Sequence, residues 1–329
     1  MKKILSSLIM LAMAFSFTGC GNSPTDESSS NSPVTEEKTY NIGICQLVQH
    51  DALDAATKGF QDALTESLGD KVSFDVQNAQ GDSPTCATIV NQFVANNNDL
   101  ILANATASLQ AAAAATNTIP ILGTSVTDYG VALDISDWNG KTGANISGTA
   151  DLAPLDKQAE MIKELFPNAK TVGLLYCSAE PNSKYQVDKV KEYLENYGYS
   201  CEYFSFVDSN DIAAVTTGAS DKSDIIYVPT DNTVASNAEV VRNICVPAKK
   251  PVIAGDEGIC KSCGVATLAI SYYDIGRKTG EMAYDILVNG ADISQMEVAY
   301  ASNAEKKYNK EICDEFGITI PNGYKALEK

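Results

Sequence analysis

Six polar loops carry the side chains of this chain that are best suited to hold a small molecule. Each loop follows an apolar run and is rich in hydroxyl, amide and carboxylate groups. Hydroxyls and free backbone N–H groups at the start of a helix favour a bound carboxylate, because the unpaired donors and the helix dipole attract negative charge. A bound ammonium group instead needs a carboxylate side chain within hydrogen-bond reach. The loops are residues 46–51, 104–108, 124–128, 178–183, 229–233 and 255–258.

Both kinds of group are present in these loops. Thr106, Ser125 and Ser183 lie at the starts of predicted helices, where a carboxylate would be held. A zwitterionic amino acid would bind to both kinds of group at once. The alternative for any single residue is that its side chain only caps its own helix. The acidic candidates for the ammonium partner are Asp128, Glu180, Asp231, Asp256 and Glu257.

The sequence signatures of common enzyme sites are incomplete in this chain. His50 is the only histidine, so sites with several histidines are excluded, and no GxSxG elbow indicates a serine hydrolase. We expect His50 to be a loop residue near the site and not a catalytic base. Residues 140–142 resemble the end of a phosphate-binding loop, but Ile135 stands where that motif requires glycine. The sequence therefore predicts a protein that is not an enzyme and has no cofactor.

The cysteines do not form a recognisable metal or disulfide framework. They are spread along the chain, unlike those of a small disulfide-rich domain. Cys260 and Cys263 form a CxxC pair, but a tetrahedral metal site needs two further soft ligands and no second CxxC exists. We expect the eight cysteines after Cys20 to be buried thiols or to form a local disulfide, and no metal site is predicted.

The charge of the chain limits its partners. It has 24 basic and 42 acidic residues, a formal net charge of −18 at pH 7. Such a surface repels phosphate backbones and anionic lipid, which excludes nucleic-acid binding and a peripheral membrane face. The body after about residue 39 is long enough for one large domain or two lobes.

The body repeats one unit several times: an apolar strand, a polar loop and an amphipathic helix. After the apolar run at residues 42–45 and the first loop, Leu53, Ala56 and Phe60 recur at helical spacing. Strands alternating with helices predict a parallel sheet with helices on both faces, and two such series predict two sheets. Further strands are predicted at residues 72–76, 100–103, 119–122, 171–176, 201–206, 225–228 and 252–254, and further helices around residues 184–197 and 235–245.

The elements after the second series are too few for a third domain. They are a strand at residues 265–270, a helix at 272–288, a short strand near 296–300 and a helix near 308–316. We expect them to return to the two existing sheets. Ligands of open parallel sheets bind in the crevice at the carboxyl ends of the strands, where the six loops lie. The predicted fold class is α/β, with two doubly wound parallel-sheet lobes.

The first 38 residues have the composition of an export signal and a tether. Lys2 and Lys3 precede an apolar run at residues 4–17, shorter than the roughly 20 residues that a membrane-spanning helix needs. Residues 17–20 resemble a bacterial lipobox, in which Cys20 would be lipidated; the alternative is an ordinary signal peptide that contains a cysteine. Residues 20–38 predict a flexible tether. The protein is thus expected to be exported and lipid-anchored to the outer face of a bacterial cytoplasmic membrane.

Seven stretches of the body together resemble one known family. The stretches are residues 42–46, 52–54, 104–106, 123–128, 180–183, 229–233 and 271–276. In this order along the chain, they look like the substrate-binding lipoproteins of ABC transporters, in the tryptophan/tyrosine-binding family. The resemblance implies a type I periplasmic-binding fold, in which two lobes joined by a three-crossover hinge close on an amino acid. It also implies a signal peptide at 1–19 and a tether at 20–38. The first lobe would be made of 39–150 with about 272–295, and the second of 151–271 with about 296–329.

The family pattern also implies a binding site and partners. Asp231 would be the ammonium partner, with Glu257 as a second choice, and His50, Tyr129 or Tyr185 would supply an apolar slot. The ligand would be tryptophan, tyrosine or phenylalanine, delivered by a monomeric receptor to an ABC permease and its ATPase. The implied ligand-binding residues are Gln46, His50, Asn104, Ala105, Thr106, Ser125, Val126, Thr127, Asp128, Glu180, Asn182, Ser183, Asp231, Asn232 and Glu257.

Two alternatives stay open at this stage. One is a receptor for another small molecule, such as a branched-chain amino acid, or a sensor that never meets a transporter. The other is a surface adhesin or an extracellular enzyme on the same fold, because fold alone does not decide function. Sugar-responsive repressors share the fold, but they begin with a DNA-binding helix-turn-helix, where this chain has a signal and a tether.

Overall fold

The structure is a computed structural model that describes residues 38–301 and 303–328. Residues 38–329 form one compact unit. The predicted signal peptide, Cys20 and nearly all of the tether lie outside the described residues, so those expectations stay predictions. Within the described ranges, no helix is both long enough and apolar enough to cross a membrane.

Six parallel strands form the first sheet. They are Tyr40–Gln46 (β1), Val72–Asn78 (β2), Leu100–Asn104 (β3), Ile121–Val126 (β4), Ile146–Ala150 (β5) and Ala299–Tyr300 (β11). Their order across the sheet is β11-β5-β4-β3-β1-β2. Every residue of β3, β4 and β5 is buried, as expected for parallel strands that are covered on both faces.

Seven strands form the second sheet. They are Thr171–Cys177 (β6), Ser200–Phe206 (β7), Ile225–Val228 (β8), Val252–Ala254 (β9), Ala266–Ala269 (β10), Glu305–Tyr308 (β12) and Lys325–Ala326 (β13). Their order is β13-β12-β10-β9-β8-β6-β7. All neighbours are parallel except β10 and β12, which run antiparallel.

The helices alternate with the strands, as the repeated pattern predicts. They are Asp51–Leu68 (α1), Ser83–Ala95 (α2), Thr106–Ala115 (α3), Tyr129–Ala132 (α4), Leu155–Leu165 (α5), Pro181–Asn196 (α6), Ile212–Lys222 (α7), Asn232–Ser236 (α8), Ala238–Cys245 (α9), Glu257–Cys263 (α10), Tyr272–Leu287 (α11) and Lys310–Phe316 (α12). The helix expected around residues 235–245 is present as α9, which begins at Ala238, and the short helix α8 precedes it and ends at Ser236.

The chain crosses between the two sheets three times. It leaves β5 for α5 at residues 151–154, leaves β10 for α11 at 270–271, and leaves β11, which ends at Tyr300, for β12, which begins at Glu305. We call the first sheet with α1–α4 and α11 the first lobe, and the second sheet with α5–α10 and α12 the second lobe. This topology confirms the predicted fold class, two parallel-dominated α/β lobes of the type I periplasmic-binding kind.

One boundary differs from the sequence analysis. Residues after about 296 were assigned there to the second lobe, whereas Ala299 and Tyr300 pair in parallel with Thr149 and Ala150 of β5. The third crossover therefore comes after Tyr300, because the short β11 first completes the edge of the first sheet.

Helix α11 closes the first lobe by packing directly against α1. A Cβ added to Gly276 would lie 2.1 Å from the carbonyl oxygen of Ala56, and one added to Gly59 would lie 2.1 Å from that of Tyr273. These glycines are required because the two helix backbones approach each other too closely for any side chain. Phe60 and Leu64 of α1 are fully buried in a first-lobe cluster that also includes Met282 and Ala283 of α11.

Candidate functional site

The carboxyl ends of strands from both sheets face each other across a cleft between the lobes. The cleft contains two cavities that share Asn182 and Asn232 as wall residues. The outer cavity has a volume of about 290 Å³, and the inner one about 10 Å³, which is room for one water molecule. The inner cavity is lined by His50, Leu53, Ser125, Thr127, Asp151, Asn182, Thr230, Asp231, Asn232, Asp256 and Tyr272.

Ser125 presents a free hydroxyl to the inner cavity. Its φ of 54° lies in the left-handed region, which side chains other than glycine rarely adopt. Its Oγ atom is buried and has no hydrogen-bond partner among the described residues. A buried polar group without a partner is unfavourable by about 1–3 kcal/mol, so this hydroxyl is available to a bound ligand.

Asp151 lies at the first crossover, immediately after β5, and is only 4% exposed. Its Oδ1 accepts a hydrogen bond from Thr127 Oγ1 at 3.0 Å, and its Oδ2 accepts one from the Tyr272 hydroxyl at 2.8 Å. Burial raises the pKa of this carboxyl, against the smaller lowering effect of the two hydrogen bonds. Because a carboxylate has about four acceptor positions, Asp151 can still accept from an ammonium group.

Asp231 is the N-cap of α8 and is 1% exposed. Its Oδ1 accepts from the Val234 N–H at 2.8 Å, and its Oδ2 accepts from the Cys177 N–H at 2.7 Å. Burial, followed by repulsion from Glu180, raises the pKa of Asp231 well above its ordinary value. Both oxygens therefore have a structural role in joining α8 to the end of β6, while the carboxyl also lines the inner cavity.

Asp256 is the third buried carboxyl at the inner cavity. It caps α10 by accepting a hydrogen bond from the Ile259 N–H at 2.9 Å. Burial raises the pKa of Asp256 to about 7. In the part of the chain that the structure describes, no lysine or arginine forms an ion pair with Asp151, Asp231 or Asp256. The inner cavity is thus an acidic, water-poor site that would favour a bound cation.

Glu180 organises the second-lobe wall of both cavities. Its Oε2 accepts from the backbone N–H and the side-chain Nδ2 of Asn232 at 3.0 and 2.7 Å. Its Oε1 accepts from the backbone N–H and the hydroxyl of Thr233, both at 2.8 Å. Asn182 adds a further donor to Oε2 at 3.2 Å. Glu180 is consequently a positioning residue that fixes the two asparagines facing the cleft.

Two side-chain hydrogen bonds join the lobes directly across the cleft. His50 Nε2 lies 3.2 Å from Asn232 Oδ1, and Gln186 Nε2 donates to Thr127 Oγ1 at 3.3 Å. Burial lowers the pKa of His50, so the imidazole is neutral near pH 7 and its Nε2–H donates to the amide oxygen. These contacts hold the two lobes together at the mouth of the inner cavity.

Seven of the predicted ligand-binding residues line the cavities or bridge the cleft. Ser125 and Thr127 come from the first lobe together with His50, while the others come from the second lobe. The second-lobe members are Glu180, Asn182, Asp231 and Asn232.

Other predicted residues support the walls without reaching either cavity. Asn104 Nδ2 donates to the Leu53 carbonyl and to Thr57 Oγ1, and its Oδ1 has no partner among the described residues. Gln46 joins the first loop to α1, since it donates to Asp54 and accepts from Thr57 of that helix. The remaining members of this group are buried beside the walls: Ala105, Thr106, Val126 and Ser183.

Two predicted acidic residues lie away from both cavities. Asp128 caps α4 by accepting from the Val131 N–H at 2.8 Å. Glu257 Oε2 accepts from Lys307 Nζ at 2.5 Å, at a groove that does not include the inner cavity. The role of second ammonium partner implied for Glu257 therefore has no geometric support, because its charge is already paired.

Of the three residues implied for the apolar slot, His50 lines the inner cavity and the two tyrosines line neither cavity. Tyr129 is fully buried, stacks on Trp138 with ring centroids 6.1 Å apart, and donates to the Thr149 carbonyl at 3.2 Å. It belongs to the first-lobe core, and Tyr185 lines neither cavity. Apolar walls are found instead around the outer cavity, at Leu47, Val48, Ala107, Ala179, Pro181 and Val207.

Asp151 and Tyr272 are site residues that the sequence analysis did not identify as ligand-binding. Asp151 follows a strand, as the other loop residues do, so the same strand-then-polar pattern would have found it. The strand itself, β5, was missed because Ser147, Gly148 and Thr149 interrupt its apolar character. Tyr272 gives no such signal, because it begins a helix that returns from the other lobe.

The cysteines and acidic groups do not form a metal centre in the described ranges. No group of three or more histidine, cysteine, aspartate or glutamate side chains there could hold a metal ion. The eight described cysteines are free thiols, and all except Cys201 are buried.

Comparisons with known proteins show which proteins this chain is similar to. The chain is 38% identical over 315 residues to a protein of Clostridioides difficile (strain R20291) named tyrosine-binding protein, covering 94% of this chain and 91% of the relative. A Streptococcus pneumoniae ABC domain in complex with L-Trp has 37% identity and a TM-score of 0.84, covering 88% of this chain and 100% of that one.

A second solved relative informs the arrangement of the lobes. The ligand-free, open structure of a Clostridium difficile substrate-binding protein with adhesive properties has 40% identity, the same 88% and 100% coverage, and a TM-score of 0.68. Although the identities are close, this chain superposes better on the tryptophan complex than on the open structure. Its lobe arrangement is therefore nearer to that of the complex. Over residues 41–327 the sequence matches the family described as ABC transporter substrate binding protein, and the chain belongs to that family.

Proposed function

We propose that this protein binds an aromatic amino acid between its lobes and delivers it to an ABC permease and its ATPase. The observation that carries the proposal is the inner cavity. Three buried carboxyls, which pair with no lysine or arginine of the described residues, lie there beside the Ser125 hydroxyl, which has no partner among those residues. Such a site suits an ammonium group, because a charge-assisted hydrogen bond is about twice as strong as a neutral one. The relatives named for tyrosine and bound to L-Trp support the ligand class.

We assign the ammonium group to the inner cavity, with Asp151 as its principal partner. Asp151 accepts its two hydrogen bonds from side-chain hydroxyls, which can rotate to admit a further donor, whereas Asp231 accepts from two backbone N–H groups that the fold holds in place. The carboxylate and the ring would occupy the outer cavity, where the first turns of α3 and α6 meet apolar side chains. Its volume of about 290 Å³ is near the lower end of small-molecule sites, about 300 Å³.

The first experiment measures whether the protein recognises amino acids at all. A thermal-shift panel of the twenty amino acids should show stabilisation by tryptophan, tyrosine or phenylalanine, since a ligand at 100 times its dissociation constant adds about 2.7 kcal/mol. Absence of any shift across the whole panel would reject the proposed ligand class. Recovery of the same amino acid unchanged after incubation, by mass spectrometry, tests the expectation that the protein is not an enzyme.

The second experiment tests the ammonium site. Asp151→Asn should weaken binding of the best amino acid about 10- to 100-fold by calorimetry, because a hydrogen bond to a charged group contributes about 1.5–3 kcal/mol. The same substitution should have little effect on the dissociation constant of an analogue of that amino acid that lacks the amino group. Asp128→Asn is the matched control, because Asp128 caps α4 away from both cavities. Equal weakening of both ligands by Asp151→Asn would contradict the assignment.

We further propose that the protein works as a lipid-anchored monomer outside the cytoplasm, the compartment in which this family acts. The lipid would be attached to Cys20, and residues 21–38 would let the lobes turn toward the permease, at a raised effective concentration. Metabolic labelling with a fatty acid should mark the wild type and not Cys20→Ala. Release of wild-type and variant protein into the medium in equal amounts would argue against the anchor.

A second candidate role is adhesion at the cell surface, favoured by the description of the Clostridium difficile relative. Binding of the purified protein to host cells, with and without a saturating amino acid, tests this role separately. If Asp151→Asn adheres to host cells as well as the wild type does, the adhesive surface lies outside the cleft.

A further inference from the structure

Cys45 and Cys86 form a pair of buried thiols in the first lobe, outside the ligand cavities. Cys45 is the sixth residue of β1 and Cys86 the fourth of α2, and both are 0% exposed in the same hydrophobic cluster. Each sulfur lies 3.6 Å from the same atom, the hydroxyl oxygen of Ser108 in α3. The two thiols are therefore neighbours that share the Ser108 hydroxyl as a hydrogen-bond partner.

This pair differs from three other buried thiols, each of which donates to a backbone carbonyl. Cys177 and Cys263 donate to backbone carbonyls of their own, at 3.2 and 3.4 Å. Cys313 likewise donates to the Val265 carbonyl at 3.5 Å. Two thiols that share a hydroxyl are arranged for contact with each other, whereas a thiol with its own carbonyl is used as a single donor.

We propose that Cys45 and Cys86 form a disulfide when the protein folds outside the cytoplasm. Disulfides form and persist in that kind of compartment and are rare inside the cytosol. The bond would tie β1 to α2 and close a loop between positions 45 and 86. The outer cavity is lined by residues close in sequence to this cluster: Leu47 near Cys45, Ser83 near Cys86, and Ala107 next to Ser108. The bond would therefore stabilise one wall of the cleft.

The reaction is a thiol–disulfide exchange with an external disulfide, either a small molecule or an oxidoreductase. The Cys86 thiolate attacks one sulfur of the oxidant, forms a mixed disulfide and releases one thiol. The Cys45 thiolate then attacks the Cys86 sulfur, forms the Sγ–Sγ bond and releases the second thiol. The two cysteines lose two electrons and two protons, which reduce the oxidant to its dithiol form.

The order of the two steps follows from the surroundings of each thiol. A hydrogen bond from Cys45 lowers the pKa of Cys86 to about 7, whereas contact with Cys86 and burial raise that of Cys45. Cys86 is also one turn from the exposed Ser83 and Pro84 at the start of α2, so opening of that turn exposes it first. The lower-pKa thiol, nearer the surface, is the one expected to meet the oxidant.

Peptide mapping of the full-length protein tests the proposal. The protein is incubated with oxidised glutathione or with dithiothreitol, blocked with N-ethylmaleimide under denaturing conditions and digested with trypsin. The oxidised sample should contain residues 39–58 joined to residues 72–141, lighter by two hydrogen atoms than the two reduced peptides together. N-ethylmaleimide on both Cys45 and Cys86 in that sample, or pairing of either with a different cysteine, would overturn the proposal.

Two variants and a melting measurement separate this bond from other oxidation. Cys86→Ser should lack the joined peptide, while Cys201→Ser, which removes the half-exposed thiol, should keep it. The oxidised wild type should melt about 5 °C or more above the reduced form, because the bond restricts the unfolded chain. An unchanged or lower melting temperature would show that the native fold does not accommodate the bond, and would also overturn the proposal.

Discussion

The stability of the protein should fall as pH rises from about 4 to about 7 through one buried carboxyl, Asp256. This side chain is 2% exposed, and burial raises the pKa of its carboxyl from 3.8 to about 7. In that range the folded protein retains a proton that the unfolded chain releases. The stabilising contribution is therefore fully present below pH 4 and is lost as pH rises through the folded pKa.

The magnitude follows from the size of the pKa shift. Three pH units correspond to about 4 kcal/mol over the whole range, and the two units between pH 5 and pH 7 to about 2.7 kcal/mol. Asp256→Asn removes the titration but keeps the cap of α10, since asparagine and aspartate cap helices about equally well. The variant should therefore gain about 2.7 kcal/mol relative to the wild type between pH 5 and pH 7.

Urea unfolding followed by far-ultraviolet circular dichroism at pH 5, 6 and 7 measures this difference. Asp82→Asn is the control, because it replaces the exposed N-cap of α2 by asparagine and so measures how this exchange alone changes the free energy of unfolding. A constant difference in free energy of unfolding between wild type and Asp256→Asn across the three pH values would refute the burial argument. So would a gain of the same size in Asp82→Asn.

Three further substitutions have expected outcomes that urea unfolding can check. Gly148→Ala should lower the free energy of unfolding by about 3 kcal/mol or more, because φ is +144° and a Cβ would lie 2.0 Å from the Gly123 carbonyl oxygen. An unchanged free energy of unfolding would contradict this close approach. Phe60→Ala should lower the free energy of unfolding by about 3–5 kcal/mol, since the ring is fully buried, and a loss below 1 kcal/mol would mean that the core refills. Arg277→Ala should change it by less than about 1 kcal/mol, because its ion pair with Glu66 is exposed; a loss above 2 kcal/mol would show a larger structural role.

The strands that lie deepest in the sheets were the easiest to predict from sequence. Residues of β1, β3 and β6 form continuous apolar runs because helices cover both faces of the sheets. The short β5 has no such run. Thr149 faces α11, where its hydroxyl lies 2.8 Å from that of Thr279, so a polar residue is satisfied inside the sheet. A partner that comes 130 residues later in the chain cannot be inferred from local pattern.

The site residues were predicted as a set of loops but not in their individual roles. Every loop lies at the carboxyl end of a strand, which topology alone dictates. Which carboxylate remains free depends on distant partners: Lys307 pairs with Glu257, and the Cys177 N–H binds Asp231. Asp151 faces the cavity because Tyr272 and Thr127, which are distant from it in the chain, each donate a hydrogen bond to one of its oxygens. These partners are set by tertiary structure, and sequence spacing does not show them.

The three crossovers have a consequence for the order in which the molecule can assemble. Helix α11, which covers α1, is made only after the strands β6–β10 of the other lobe. A growing chain that ends at β5 lacks both α11 and the edge strand β11, so its first lobe leaves α1 uncovered. Contacts between such distant segments form late and slowly. A chain with this connectivity therefore leaves its first lobe incomplete until the residues of β11 are present.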